Sequence, residues 1–339
     1  MNLSLQQTEE LVVSLGEPKF RARQIFAWVH QKGINNLSDM TDISLKLREK
    51  LEDMAYPGRL EVLTRQKSTD GTTKYLFGLL DGETLESVFL PHIYGYSVCV
   101  SSQVGCRMGC RFCASTIGGL VRNLSAGEMY AQVMGIQCDS GQRVDSIVVM
   151  GSGEPMDNLS EVIRFISLLT SQEGLNIGSR HITVSTCGIV PGIRQLAREK
   201  LQITLSVSLH SSNDETREQI MPVNKKYPIK SLIDVCKEYI TITNRRITFE
   251  YALIDGFNDS PEQALELGRL LKGLLCHINL IPLNQVAERN FQKSNLARVQ
   301  AFKACLEKAG IPVTVRREMG ADIDAACGQL RRRINKGKS

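Results

Sequence analysis

Nowhere in the 339 residues is there an uninterrupted apolar run of about 18 residues, so no transmembrane helix is expected. Met1 to Glu10 is polar and acidic and lacks the basic, apolar and small-residue succession of a secretion signal; a cytoplasmic protein is the expectation. Neither sign of charge dominates. There are 41 basic and 36 acidic side chains, a net charge of +5, too mild an excess to argue for nucleic acid by itself. No internal repeat and no low-complexity segment is present. With 42% hydrophobic residues, the length suits one large domain and a smaller appendage.

What is present is unevenly placed. Basic residues gather near the C-terminus, at Arg316-Arg317, Arg331-Arg332-Arg333 and Lys336/Lys338. Such clusters suit phosphate contacts, and equally a solvated tail. The ten cysteines are 99, 106, 110, 113, 138, 187, 236, 276, 305 and 327. A cytosolic chain of this size does not need disulfides, so the clustered ones point to metal or catalytic use. The scattered Cys138, Cys187, Cys236, Cys276 and Cys305 read as small apolar residues.

Residues 1–56 read as helical. Phe26 and Val29 lie in Lys19–Lys32, with Gly33 as C-cap, and Leu47, Leu51 and Met54 follow at helical spacing. Pro57-Gly58 breaks the pattern. Residues 57–92 read as a β extension, with hairpin turns at Asp70-Gly71 and Asp81-Gly82. From there to residue 330 strands and helices alternate. Strands are expected at Ser97–Ser101, Ser146–Met150, His181–Ser185, Ile203–Leu209, Ile247–Leu253 and Ile278–Leu283. Ser260-Pro261 with Gln263 forms a capping box that opens one helix, whose Leu267, Leu270, Leu271 and Leu274 face the core. Six βα units are fewer than a closed eight-fold barrel needs, so an α/β fold with an incomplete (β/α)6 barrel is predicted. A basic tail, 331–339, ends the chain. In such folds chemistry sits at the C-terminal ends of the strands, where Gly153-Glu154-Pro155, Ser185, His210 and Asn284 fall.

The strongest motif is Cys106-Arg-Met-Gly-Cys110-Arg-Phe-Cys113, in a loop just after the first barrel strand. Three thiolates this close can ligate a [4Fe–4S] cube and leave one iron open for the amino and carboxylate groups of S-adenosylmethionine (SAM). Phe112 is placed to shield the cluster or the adenine. The competing reading is a structural zinc site with Cys99 as fourth ligand, but the spacing is not a usual zinc one.

These residues carry a resemblance. Cys106–Cys113 is similar to the radical SAM signature, and the string from Val98 to Thr116 resembles the RlmN/Cfr branch of that superfamily. Asp322-Ile-Asp-Ala-Ala-Cys-Gly-Gln-Leu330 is similar to the same branch, as are Gly153-Glu-Pro155, Ser185-Thr-Cys-Gly188, Ser208-Leu-His210, Met221-Pro222 and Leu280-Ile-Pro-Leu-Asn284. Gly153-Glu154-Pro155 and Ala114–Leu124 lean toward RlmN, which methylates adenine C2, over Cfr, which methylates C8. Ser152 departs from the methionine usual in that turn.

The resemblance implies a radical mechanism using two SAM molecules per turnover. Cys327 would take a methyl from one SAM, and a radical made from the second would activate it for addition to C2. Glu86 would accept the C2 proton, and Cys99 would attack the Cys327 sulfur, forming a transient disulfide. Glu154 would pair with the SAM ammonium, and Gly153 would allow the backbone to approach. Ser185, Ser208, Leu209 and His210 would contact the carboxylate, sulfonium or ribose, and Asn284 the adenine or methionine moiety. The implied partners are 23S rRNA and tRNA, an electron donor such as flavodoxin or ferredoxin, and a thiol reductant; a monomer is expected. Without the resemblance, Cys99 and Cys327 read equally as core residues, Glu86 as a solvent-facing strand acid and His210 as a satisfied strand-end histidine. A zinc-stabilised, non-catalytic RNA-binding protein is the alternative of a different class.

Overall fold

The computed structural model describes residues 1–34, 36–283 and 289–323. Asn284, Cys327 and the basic tail 331–339 lie outside the described residues.

One ten-stranded sheet organises the molecule. Its first three strands, β1 (Glu61–Lys67), β2 (Thr73–Gly78) and β3 (Thr84–His92), form an antiparallel meander. The hairpin turns fall at Asp70-Gly71 and Asp81-Gly82, as their sequences predict. β3 then pairs antiparallel with β4 (Gly95–Cys99), so the extension and the barrel share one sheet. A small ribbon of β5 (Gln103–Gly105) and β6 (Leu120–Asn123) follows outside that sheet. From β4 onward the pairing is parallel, through β7 (Ser146–Val149), β8 (Ile182–Thr186), β9 (Thr204–Ser208), β10 (Ile247–Leu253), β11 (Cys276–Pro282) and β12 (Val313–Val315). All six expected strands are present. The seventh parallel strand, β12, is only three residues long, too short to give a periodic signal. Among the described residues the barrel stays open, with β1 and β12 ending the sheet on either side.

Alternation along these strands explains the layering. Ile147, Val149, Ile182, Val184, Leu205, Val207, Phe249, Tyr251, Ile278 and Leu280 point outward into one continuous core. The helices α4 (Ala126–Ser140), α5 (Leu159–Thr170), α6 (Val190–Arg198), α8 (Ile229–Thr243), α9 (Pro261–Leu270) and α10 (Leu296–Lys308) cover that core, and short α7 (Asp214–Ile220) caps the end of β9. The predicted capping box of α9 is present: the Ser260 side chain accepts from Gln263 N, and the Gln263 side chain accepts from Ser260 N. Leu267 and Leu271 are buried, with Leu270 and Leu274 partly so. The intervening strand residues include Lys74, Glu86, Cys99, Thr183, Ser185, Ser206, Ser208, Glu250 and Asn279, with apolar Leu76, Val88, Val148 and Ala252 among them. They share the opposite, lumen face, which therefore carries many polar groups, unlike the packed interior of a closed barrel.

The N-terminal helices α1 (Leu5–Ser14), α2 (Arg21–Ala27) and α3 (Leu45–Glu52) pack on a small core of their own, with Val12, Ile25, Val29, Met40 and Leu47. The helical turns continue from α2 to Lys32 and end at left-handed Gly33, as expected. Met54 does not join this core: α3 ends at Glu52 and Met54 is exposed.

His30 ties this region to the barrel. It is buried, it stacks on Phe26 at 3.9 Å, and its backbone carbonyl accepts from the Tyr130 hydroxyl on α4 at 2.7 Å. Burial pushes its imidazole down to about 4, with the positive charge of the N-terminus adding to the effect. A depressed histidine contributes stability that is present above its unfolded value near 6.5 and lost as pH falls through 4. Acidification from pH 7 to pH 4 is therefore expected to cost about 3 kcal/mol through this residue. Urea unfolding at the two pH values, in native protein and in His30→Gln, measures that share: the variant should lose less stability on acidification, and equal losses would contradict the assignment.

At the other end, the chain leaving β12 crosses to the β1–β2 turn. The Asp322 carboxylate accepts from the Ser68 hydroxyl and, at 3.0 Å, from Thr69 N–H. Asp70 accepts from Gly320 N–H at 2.8 Å. This clasp joins the two ends of the open sheet.

Candidate functional site

The cysteine loop leaves β5 at Gly105 and returns at Leu120 on β6. Gly105 has φ +78°, and a Cβ there would lie 2.1 Å from Gly119 O, the oxygen that accepts from Cys106 N–H at 2.9 Å. Only glycine fits that crossing. Inside the loop, the Thr116 hydroxyl reaches Cys110 O at 3.0 Å and Cys113 O at 2.9 Å, and Arg111 N–H donates to Ile220 O at 2.9 Å. Cys106 and Cys110 are buried, and Cys113 is half-buried. Burial pushes the Cys106 thiol up to about 12, and Cys110 also well above its ordinary range; the neighbouring thiols and Glu154 add to both. The three thiols thus lie within electrostatic reach of one another.

Among the described residues, no three His, Cys, Asp or Glu side chains gather as ligands of a single metal ion would. Ligands of a [4Fe–4S] cube bind different irons and stand farther apart. Three soft sulfur donors in one loop fit such a cluster, with a fourth iron left for SAM.

Glu154 sits across from these thiols, after the tight turn that ends β7. Gly153 takes φ +111° there, and a Cβ would press within 2.7 Å of Gln103 Cβ and Ser102 Oγ. Ser152, the departure noted in the sequence, is buried. Its hydroxyl lies 3.1 Å from that of Ser115, and its carbonyl accepts from Ser102 and Gln103 N–H. The Glu154 carboxylate is buried and accepts from Met156 N–H at 3.0 Å and Cys187 N–H at 2.7 Å. Burial raises its pKa, against these hydrogen bonds.

Ser185 and Ser208 lie half-buried on the lumen face at the ends of β8 and β9, and Leu209 is fully buried. His210 adopts φ +55°, left-handed backbone that non-glycine residues seldom occupy. Its carbonyl accepts from Asn258 Nδ2 at 2.8 Å, and its Nδ1 accepts from Ala252 N–H at 2.9 Å, which places the ring proton on Nε2. Burial, then the Arg217 charge, pushes its pKa down to about 3, so the ring is neutral. It meets Phe112 edge-to-face at 4.9 Å, bringing the cysteine loop against the end of β9.

The residue that holds these ends together was not visible in the sequence. Arg217, on α7, has no exposed surface. Its guanidinium donates to Leu209 O at 3.0 Å, Asn224 Oδ1 at 2.9 Å, Cys187 O at 2.7 Å and Ser208 O at 3.1 Å.

Deeper in the lumen, Cys99 is buried at the end of β4, while Val98 and Val100 pack outward. Glu86 is buried rather than solvent-facing, and it pairs with Lys74, itself fully buried, at 2.8 Å. Glu250, a second buried acid on this face, accepts from Ser206 Oγ at 2.6 Å and Asn279 Nδ2 at 2.8 Å. No sequence motif marks either Lys74 or Glu250. The available signal was a lone charge in a strand apolar on both faces, as in Thr73-Lys-Tyr-Leu-Phe77 and Ile247-Thr-Phe-Glu-Tyr-Ala-Leu253.

A fold of parallel strands around a polar lumen, headed by a three-cysteine loop, is that of the radical SAM enzymes, and the radical SAM superfamily model matches residues 100–268. This chain is a member of that superfamily. The model for the ribosomal RNA large subunit methyltransferase N-terminal domain, RlmN_N, matches residues 1–56. A probable dual-specificity RNA methyltransferase RlmN of Desulforamulus reducens is 55% identical over 98% of this chain and 95% of its own length. The protein of the same name in Clostridium perfringens is 50% identical over 100% and 98%. A crystal structure of a radical SAM methyltransferase from Sphaerobacter thermophilus superposes with a TM-score of 0.93 at 45% identity, covering 97% of both chains. The chain belongs to the RlmN family. No helix among the described residues is long and apolar enough to cross a membrane.

Proposed function

We propose that this protein methylates C2 of adenosine in RNA, with one site in 23S rRNA and one in tRNA, as a cytoplasmic monomer. The observation that carries the reading is the polar lumen that places Cys99 and Glu86 on one face, in a chain that matches RlmN relatives over nearly its whole length. Cys106, Cys110 and Cys113 would hold the [4Fe–4S] cluster. Glu154 with Gly153, Ser185, Ser208, Leu209, His210 and Asn284 would hold SAM, two molecules being used per turnover. When bound, cluster and SAM together supply a carbon radical, fed by a flavodoxin- or ferredoxin-like donor.

The chain's own groups do the rest. Cys327 carries the methyl and presents it to the base. Neutral His210 offers an Nε2–H donor at the strand end. Glu86 takes the C2 proton, and Cys99 attacks the Cys327 sulfur to free the product, leaving a disulfide for a thiol reductant to reopen. Residues 1–56 serve as the accessory RNA-recognition part, 57–92 as the β extension, 93–330 as the catalytic core and 331–339 as a basic tail.

Mass spectrometry of nucleosides from rRNA and tRNA, with and without the gene, tests this. 2-Methyladenosine should vanish from both RNAs when the gene is removed. Loss of 8-methyladenosine would favour Cfr-type chemistry. Purified protein that binds one zinc and no iron would favour a non-catalytic RNA-binding protein.

A further inference from the structure

We propose that Lys74 is the positioning residue for Glu86: its ammonium holds the buried carboxylate ionised and fixed on the lumen face. The inference rests on the reading of Glu86 as proton acceptor. Lys74 faces Val88 across the β2–β3 pair, and Val88 faces Cys99 across the β3–β4 pair. Directly opposed residues share a face, so Lys74, Val88 and Cys99 line one row of the lumen. Glu86 lies two residues from Val88, diagonal to Lys74 and opposite the start of the Ser101-Ser102 turn, whose Ser101 hydroxyl donates to Glu86 O at 2.6 Å. Among the described residues, Lys74 on β2 and Cys99 on β4 are the ionisable side chains on this face of the two strands neighbouring β3. On the outward face of the same strands are Tyr75, Phe77, Leu85, Phe89 and Val98, all in the core.

The pair's burial is the telling feature. Side-chain exposure is 0% for Lys74 and 4% for Glu86. A buried ion pair is commonly no more stabilising than apolar residues of the same size, so stability gives little reason to place one here. Its chemical consequence is clear. A carboxyl this far from water, with no counter-charge, is neutralised by a proton and then has no capacity to accept another. The ammonium prevents that. In the reaction the C2–H bond breaks, its electron pair stays with the ring, and the proton moves to the Glu86 oxygen. Lys74 keeps its own proton throughout and remains hydrogen-bonded to the acid it has helped to form.

Infrared difference spectroscopy of the holoenzyme at neutral pH tests the claim without relying on turnover. Lys74→Met should show a protonated-carboxyl C=O band that the native enzyme lacks and that Lys74→Met/Glu86→Gln loses. Lys74→Arg, which keeps the charge, should show no such band and should recover part of the turnover. In Lys74→Met, formation of 2-methyladenosine should fall by about 100-fold, the lower range of a general base's contribution. Absence of the acid band overturns the proposal. An acid band with undiminished product would leave Lys74's hold on Glu86 standing and remove Glu86 from the role of base. If Lys74→Met does not fold, Lys74→Gln removes the charge while keeping a donor and yields the same band.

Discussion

Replacing Cys99 with alanine is expected to trap RNA on the protein. The two cysteines of the proposed mechanism act at different steps, so their variants must fail differently. Cys327→Ala has no methyl acceptor, and neither methylated protein nor a protein–RNA adduct should form. Cys99→Ala can still load the methyl and add it to the base, but no thiolate remains to attack the Cys327 sulfur. A slowly migrating covalent species should accumulate, and RNase digestion should collapse it. Cys99 lies buried on the lumen face in the row of Lys74, where access to the substrate is possible and outward packing is not. If both variants stop before any RNA adduct, Cys99 is an ordinary core residue and the order of steps falls.

The largest effect on stability is expected at Arg217. Its removal leaves Leu209 O, Cys187 O, Ser208 O and Asn224 Oδ1 without the donor they now share. An unsatisfied buried acceptor costs about 1–3 kcal/mol, so Arg217→Met should lose at least about 4 kcal/mol. Lysine would not rescue it, because an ammonium lacks the planar fork that reaches three strand-end carbonyls at once. Guanidinium unfolding of the native protein and both variants checks this. A loss below about 1 kcal/mol in Arg217→Met would mean the surrounding groups find other partners.

Local chemistry made much of this fold legible. Asp70-Gly71 and Asp81-Gly82 marked the meander because few other pairs tolerate the turn backbone. Ser260-Pro261 with Gln263 announced α9. The six longer strands showed through their outward aliphatic residues. What escaped depends on contacts distant in sequence. Arg217 lies in the polar string Asp214-Glu-Thr-Arg217, and nothing local shows that its partners are carbonyls from two strands and a following turn. Glu86 reads as an exposed strand acid until Lys74 is seen beside it. Met54 has the right spacing from Leu47 and Leu51, but the helix that would have buried it stops first. The cysteine loop was the exception: three thiols within eight residues declare their chemistry whatever the fold around them.

The clasp between Asp322 and the β1–β2 turn sets a limit of reach. Cys327 lies five positions beyond Asp322, and five fully extended residues span at most about 18 Å. Counted from Arg316, whose N–H meets Leu280 O at the end of β12, the same thiol lies eleven positions on, a span of up to about 40 Å. In the proposed reaction, the hydrogen bonds of Asp322 to Ser68 and Thr69 would therefore hold the methyl-carrying sulfur within the shorter of these two radii of the β1–β2 turn.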